Sequence, residues 1–158
     1  MIKLKSKSPK KKEKIDIGEY LEGRSLKEYL VDHTIHSQDQ ITPFDSSIGC
    51  TIEDAQIAYK IVCRIGVQKM NSSIEFGCYL EHLYKSTYPN SGISTWKEFL
   101  KTNALCQKTQ ARNYRNLTLL KEFKKFRNLN YQVNELATHA KEINDYLSKD
   151  SKQKEIWS

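Results

Sequence analysis

Lys108, Arg112 and Arg115 are spaced four and three residues apart, and Gln107 and Asn116 flank them. At about 100° per residue these cations share one side of a helix, while Ala111, Tyr114, Leu117 and Thr118 share the other. Guanidinium and ammonium groups bond guanine edges and phosphates, and Asn or Gln amides pair with adenine. One face of this helix therefore carries the chemistry of a major-groove reader. Its N-terminus favours phosphate as well. The plain alternative is a Lys/Arg-rich face that is only solvated surface.

The charge distribution gives these residues their context. Between Ser94 and Asn130, nine Lys or Arg stand against two Glu, whereas residues 15–93 hold six basic and eleven acidic side chains. Residues 131–158 hold four basic and five acidic, and residues 1–14 hold seven Lys and one Glu. Positive charge gathered on one ordered element suits a polyanion, because neutralising phosphates releases condensed counterions.

The elements that must position this chemistry are predicted to be helices. Thr95 and Glu98 form a capping box before a short helix that buries Trp96, Phe99 and Leu100 and carries Lys97 and Lys101 towards a nucleic-acid backbone. Asn103–Cys106 then breaks the period with the length of a helix-turn-helix turn, though without the Gly often found there. A longer helix is expected from about Gln107 to Phe126, with Lys121, Lys124, Lys125 and Arg127 as further backbone contacts. A short helix, a turn and a longer recognition helix match helix-turn-helix docking.

Capping signals recur elsewhere. Ser25 and Glu28 predict a helix within Asp16–His33, with Leu26, Tyr29 and Leu30 on one face, followed by a loop over 34–50. Thr51 and Asp54 open a helix bearing Ala55, Ala58, Tyr59 and Val62 that fades near Gly66. Ser72 and Glu75 predict the start of another, striped by Phe76, Leu80, Leu83 and Tyr84 and ended by the loop Tyr88–Gly92. Gly77 inside it marks a close helix–helix approach. Val133, Leu136, Ala137, Ala140, Ile143 and Leu147 give the cleanest helical period. The final residues read as frayed, although Ile156 and Trp157 suit docking on the domain or on another subunit.

The fold expected is all-α, a five- to six-helix bundle containing a helix-turn-helix-like pair, with a disordered basic N-terminal tail. The chain divides into the tail 1–14, a short helix and loop at 15–50, a helical domain 51–149 with the helix-turn-helix at 94–127, and a C-terminal tail 150–158.

Composition narrows the function further. With 158 residues, 38% hydrophobic and 28% charged, the chain suits one domain with a modest core. No apolar run reaches the roughly 18–20 residues that span a bilayer, and the basic N-terminus lacks a secretory apolar stretch, so no membrane role is expected. Pro9-Lys10-Lys11-Lys12 resembles a nuclear-import signal and suggests a nuclear location; a solvated tail adding phosphate affinity is the equal alternative. Cys50, Cys63, Cys78 and Cys106 lie thirteen or more positions apart and read as small buried hydrophobes rather than a zinc site. His33 and His36 read as a surface pair, and His82 and His139 as ordinary polar positions. Glu53 and Asp54 complement a helix dipole. Phosphate-binding loops, dinucleotide turns and nucleophile elbows are missing, so no enzyme activity, cofactor, metal or small-molecule substrate is expected.

The run Trp96-Lys97-Glu98-Phe99-Leu100, followed by Thr109-Gln110-Ala111-Arg112-Asn113-Tyr114, resembles helix-turn-helix modules of the homeobox-like or phage-replication type. The likeness covers about residues 94–126. Size, composition and basic tail are also similar to the small homeobox-like accessory subunits of ciliate DNA adenine-N6 methyltransferase complexes. That resemblance implies a non-catalytic subunit that brings double-stranded DNA to a separate methyltransferase dimer, with protein partner subunits. The Asp-Pro-Pro-Tyr or Asp-Pro-Pro-Trp signature of the methyltransferases themselves is absent. The recognition-helix Asn of homeodomains would fall at Asn113 or Asn116. Two other readings stand beside it. An RNA-binding module requires Tyr114, Phe123 and Phe126 to be exposed for stacking. A protein-interaction adaptor would use the acidic half, 15–93, and the last helix, leaving the basic patch incidental.

Overall fold

Local capping decides where most helices begin. Asp16 accepts from the Glu19 amide (3.2 Å) and opens α1, Ile17–Tyr29, so Ser25 lies inside that helix and not at its start. Thr51 and Asp54 exchange both bonds of the expected box, 2.9 and 3.0 Å, and open α2, Ile52–Arg64. α3 spans Met70–His82 and continues through a π turn, Leu83–Thr87, and a 3₁₀ turn, Tyr88–Asn90. The shorter α4, Trp96–Thr102, and α5, Lys108–Leu117, follow. Two 3₁₀ turns, Thr118–Leu120 and Lys124–Asn128, lead to α6, Val133–Lys149, and α7, Ser151–Trp157.

This computed structural model describes residues 15–29, 41–64, 70–129 and 132–158. Pro9–Lys12 with the rest of the Lys-rich tail, the His33/His36 pair, the first part of the 34–50 loop, the Leu26/Tyr29/Leu30 face and Gly66 lie outside the described residues. The described fold is all-α, with seven α-helices, slightly more than the sequence suggested.

α3 is the axle. Every residue from Ser72 to Leu80 is buried, and the helix packs against α2 and α5, while α5 packs on α6 and α6 on α1 and α7. Gly77 has the expected role: a Cβ there would run into the Tyr114 carbonyl oxygen of α5 and come within 3.1 Å of Thr118 Cγ2. Phe76 meets Tyr114 edge-on at 4.9 Å beside this contact and stacks on Tyr59 of α2 at 5.5 Å.

Glu75 does not cap α3, which starts five residues before it. Its buried carboxylate instead accepts from Arg127 Nη1 (2.5 Å) and from the Phe44 amide (2.7 Å), holding two distant segments to the axle. Arg127 also bonds Asn71 Oδ1 and the Lys121 carbonyl, so it is a structural cation and not a free one.

The helix expected to run to Phe126 stops at Leu117. The reason is the apolar period. Leu117, Leu120, Phe123, Phe126 and Leu129 recur every third residue, and all are almost fully buried. In an α-helix such spacing drifts by about 60° per step, whereas 3₁₀ winding keeps positions i and i+3 on one side. The final residues are not frayed. Asp150 caps α7 through the Lys152 and Gln153 amides, both at 3.1 Å, and buried Trp157 stacks on Phe126 at 4.5 Å.

The Gly77 contact yields a prediction with a definite sign. Helix propensity alone favours Gly77→Ala by about 1 kcal/mol, but overpacking against a backbone carbonyl costs roughly 1–3 kcal/mol or more. We expect Gly77→Ala to lower stability in urea unfolding; a more stable variant would place α3 and α5 further apart than described.

Candidate nucleic-acid interface

The α4–α5 pair is assembled as a tight helical corner. Thr95 Oγ1 accepts from the Glu98 amide at 3.2 Å, the capping bond anticipated for α4. Trp96, Phe99 and Leu100 are buried as expected, with Trp96 stacked on Phe99 at 5.3 Å and against Tyr84 and Tyr88. After Thr102 the chain reverses through Ala104 at φ +53°. The Leu105 amide reaches back to Leu100 O (2.9 Å) and the Ala104 amide to Lys101 O (3.2 Å), the paired bonds of a Schellman motif. Ala104 thus holds the left-handed position where Gly is usual. From α2, Gln56 Nε2 donates to Asn103 O at 2.7 Å and clamps this turn from outside. Leu105 and Cys106 bury beneath it, and α5 begins at Lys108 with the Gln107 amide donating to Gln110 Oε1 at 3.3 Å.

Ala111, Tyr114 and Leu117 face the core, which fixes the rotation of α5. Taking Lys108 as origin, Arg112 stands about 40° round the helix, Asn116 about 80° and Thr109 about 100°. All four are exposed, as are Gln107 and, on α4, Lys97 and Lys101. Among the described residues, none of these four cations is paired with a carboxylate. Glu98 is the acidic neighbour on α4.

Arg115 departs from the expected row. It stands about 20° from Lys108 on the side of buried Ala111, which turns it towards α3. Its Nε donates to Glu81 Oε1 at 2.5 Å, its guanidinium lies 3.8 Å from the Tyr84 ring centroid, and its side chain is 24% exposed. The opposite margin carries an amide contact that periodicity did not reveal. Asn113 Nδ2 donates to Asn134 Oδ1 at 2.8 Å and joins α5 to the start of α6. Lys121 and Lys124 are exposed, whereas Lys125 lies over the Trp157 ring at 5.0 Å and Arg127 is held by Glu75.

Other chemistry is sparse. Burial pushes the thiols of Cys50, Cys78 and Cys106 up to about 12, 11 and 12, so they stay protonated at neutral pH. Cys63 is exposed and Cys50 only half-buried, contrary to their reading as buried hydrophobes, which holds for Cys78 and Cys106. No cluster of three or more His, Cys, Asp or Glu fit to hold a metal occurs among the described residues. Tyr114, Phe123 and Phe126 are buried and unavailable for stacking on bases. No helix among the described residues is long and apolar enough to cross a membrane. Comparisons with protein-family models, curated proteins and solved structures find no match to this chain.

Two predictions follow from this corner. Ala104→Gly removes the left-handed penalty and should raise stability by about 0.5–1 kcal/mol in thermal or urea unfolding. Arg115→Ala should cost about 1–3 kcal/mol at pH 7, against less than about 0.5 kcal/mol for Lys108→Ala. Burial alone would raise the Glu81 carboxyl pKa, but hydrogen bonds from Arg115 and Lys85 outweigh it and leave it below the ordinary value. A depressed folded pKa gives stability present above the unfolded value, about 4.3, and lost as pH falls through the folded one. The gap between wild type and Arg115→Ala should therefore narrow below about pH 4 in urea titrations.

Proposed function

We propose that this protein is a non-catalytic, double-stranded-DNA-binding subunit that presents α5 to the major groove. The observation that carries this reading is the single outward face of α5. Lys108 and Arg112 stand there beside Thr109 and Asn116, with Gln107 at the helix start, while the opposite face is buried. Lys97 and Lys101, exposed on α4, would supply the phosphate contacts of a helix-turn-helix, and the first-turn amides of α5 add an anion preference. Arg115 supports this surface from behind through Glu81 and Tyr84. The burial of Tyr114, Phe123 and Phe126 favours duplex over single-stranded RNA as the ligand.

The wider assignment rests on sequence. The Pro9–Lys12 cluster supports a nuclear location, and the likeness over residues 94–126 supports an accessory role in a DNA-modifying complex of the adenine-methyltransferase type or in a chromatin complex. Ile156, 50% exposed on α7, offers an apolar contact for a partner subunit.

Electrophoretic shift over a salt series tests the proposal. Each phosphate neutralised contributes about −0.9 to the slope of log K against log salt. Lys108→Gln with Arg112→Gln should therefore reduce the slope by about 2 and weaken duplex binding on every sequence. Unchanged binding in that variant, with all retention lost on removal of residues 1–14, would make the tail the DNA ligand and leave α5 as ordinary surface.

A further inference from the structure

A cleft of about 390 Å³ opens between the C-terminal end of α3, the 41–50 loop and the 3₁₀ turn that follows α5. Part of its wall is apolar: Phe44, half-buried with its ring 5.6 Å from that of His82, and the Cys78 thiol. The rest is cationic. Lys85 and Lys121 reach it from different elements, both exposed, with the hydroxyls of Ser46 and Ser86 beside them. Burial raises the Cys78 thiol pKa, and the Lys121 ammonium is near enough to oppose that rise.

The walls are held in place by specific bonds. α3 gives way at Leu83 to the π turn, closed by the Tyr88 amide on Leu83 O, and this wider winding carries Lys85 and Ser86. Such turns are rare and gather at functional sites. Gly49, at φ +78°, lies against the His82 ring, where any Cβ would collide, and the Phe44 amide is anchored on Glu75 at 2.7 Å. Among the described residues Glu81 is the acidic member of the wall, and it is already engaged. Its carboxylate holds Lys85 Nζ at 3.2 Å and Arg115 Nε at 2.5 Å. Lys85, Lys121 and Arg115 against Glu81 leave a surplus of two positive charges here, before His82 is counted.

We propose that this cleft binds a small phosphate monoester whose organic group is apolar or aromatic. A monoester carries close to two negative charges at neutral pH and three strong acceptor oxygens. Its charge matches the surplus, and its oxygens meet donors in the ammonium groups of Lys85 and Lys121 and in the Ser46 hydroxyl. The Ser86 and Thr118 hydroxyls donate to His82 O and Arg115 O, so they shape the wall without competing for the ligand's acceptors. The half-open ring of Phe44 suits an aromatic or alkyl group laid against it, and the volume falls in the range of small-ligand sites, roughly 300–1,000 Å³. A carboxylate brings a single charge and leaves one ammonium group unmatched. A nucleic-acid phosphate is a singly charged diester tied on both sides, so it cannot lower an organic group onto Phe44.

The test titrates the full chain with inorganic phosphate and with phenyl phosphate at constant ionic strength, following backbone amide NMR signals. Saturable shifts should appear at Ser46, Cys78, Lys85, Ser86 and Lys121, with phenyl phosphate the tighter probe because its ring covers Phe44. Lys85→Gln with Lys121→Gln, two exposed positions, should weaken both probes by about tenfold while the urea midpoint holds. Lys108→Gln with Arg112→Gln should leave both affinities unchanged. Shifts confined to α5, equal affinity for the two probes, a Lys85/Lys121 variant that binds as wild type does, or no saturable shift with either probe would each overturn the proposal. So would displacement of phenyl phosphate by duplex DNA together with weaker duplex binding by the Lys85/Lys121 variant, which would assign the cleft to the DNA backbone. The α5 variant is judged on duplex and the cleft variant on phosphate, so either reading can fail alone.

Discussion

The close approach of α3 and α5 at Gly77 governs the rest of the molecule. A helix can lie this near its neighbour only where one side chain is missing, and here the missing side chain faces the Tyr114 carbonyl. The contact sets the rotation of α5 as well as its distance. With Tyr114 and Leu117 turned inward and Thr118 against Gly77, Arg115 meets Glu81 and Tyr84, and Lys108, Arg112 and Asn116 face solvent. The same crowding explains how α3 can be buried along most of its length with a middling apolar content. Glu75 enters the interior together with Arg127, and an ion pair is tolerated there when its remaining polar atoms are also bonded.

Internal pairing also corrects the raw charge count. Of nine basic residues between Ser94 and Asn130, Arg115 and Arg127 are bound to carboxylates of the acidic half and Lys125 rests on Trp157. The cations left to the surface are mostly on α4, on α5 and just beyond. The positive face is therefore narrower than the sequence suggests, and better defined. Glu81 and Glu75 each brace an arginine and so withdraw its charge from that surface.

Interactions that close within a few residues were legible in the sequence. Thr51 with Asp54 and Thr95 with Glu98 cap their helices as read, and the α6 period from Leu136 to Leu147 is buried as read. Patterns of identical form failed where a distant partner intervened. Ser72 with Glu75 has capping spacing, yet Glu75 is taken by Arg127, 52 residues away, and Arg115 by Glu81, 34 residues away. Ala104 shows a different limit, since nothing in an Ala-containing turn announces a left-handed residue. The 117–129 segment carried a readable signal that an α-helical period hid, namely strict recurrence every third residue.

That threefold recurrence restricts how the segment can change in length. Removing one residue ahead of Phe123 would bring Lys124 and Arg127 to the interior positions of Phe123 and Phe126, and inserting one would bring Glu122 and Lys125 there. Three residues gained or lost keep the phase and move the start of α6 by only about 6 Å. Natural variants of this chain should therefore differ here in whole triplets, a frame imposed by winding geometry and recorded in the spacing of five side chains.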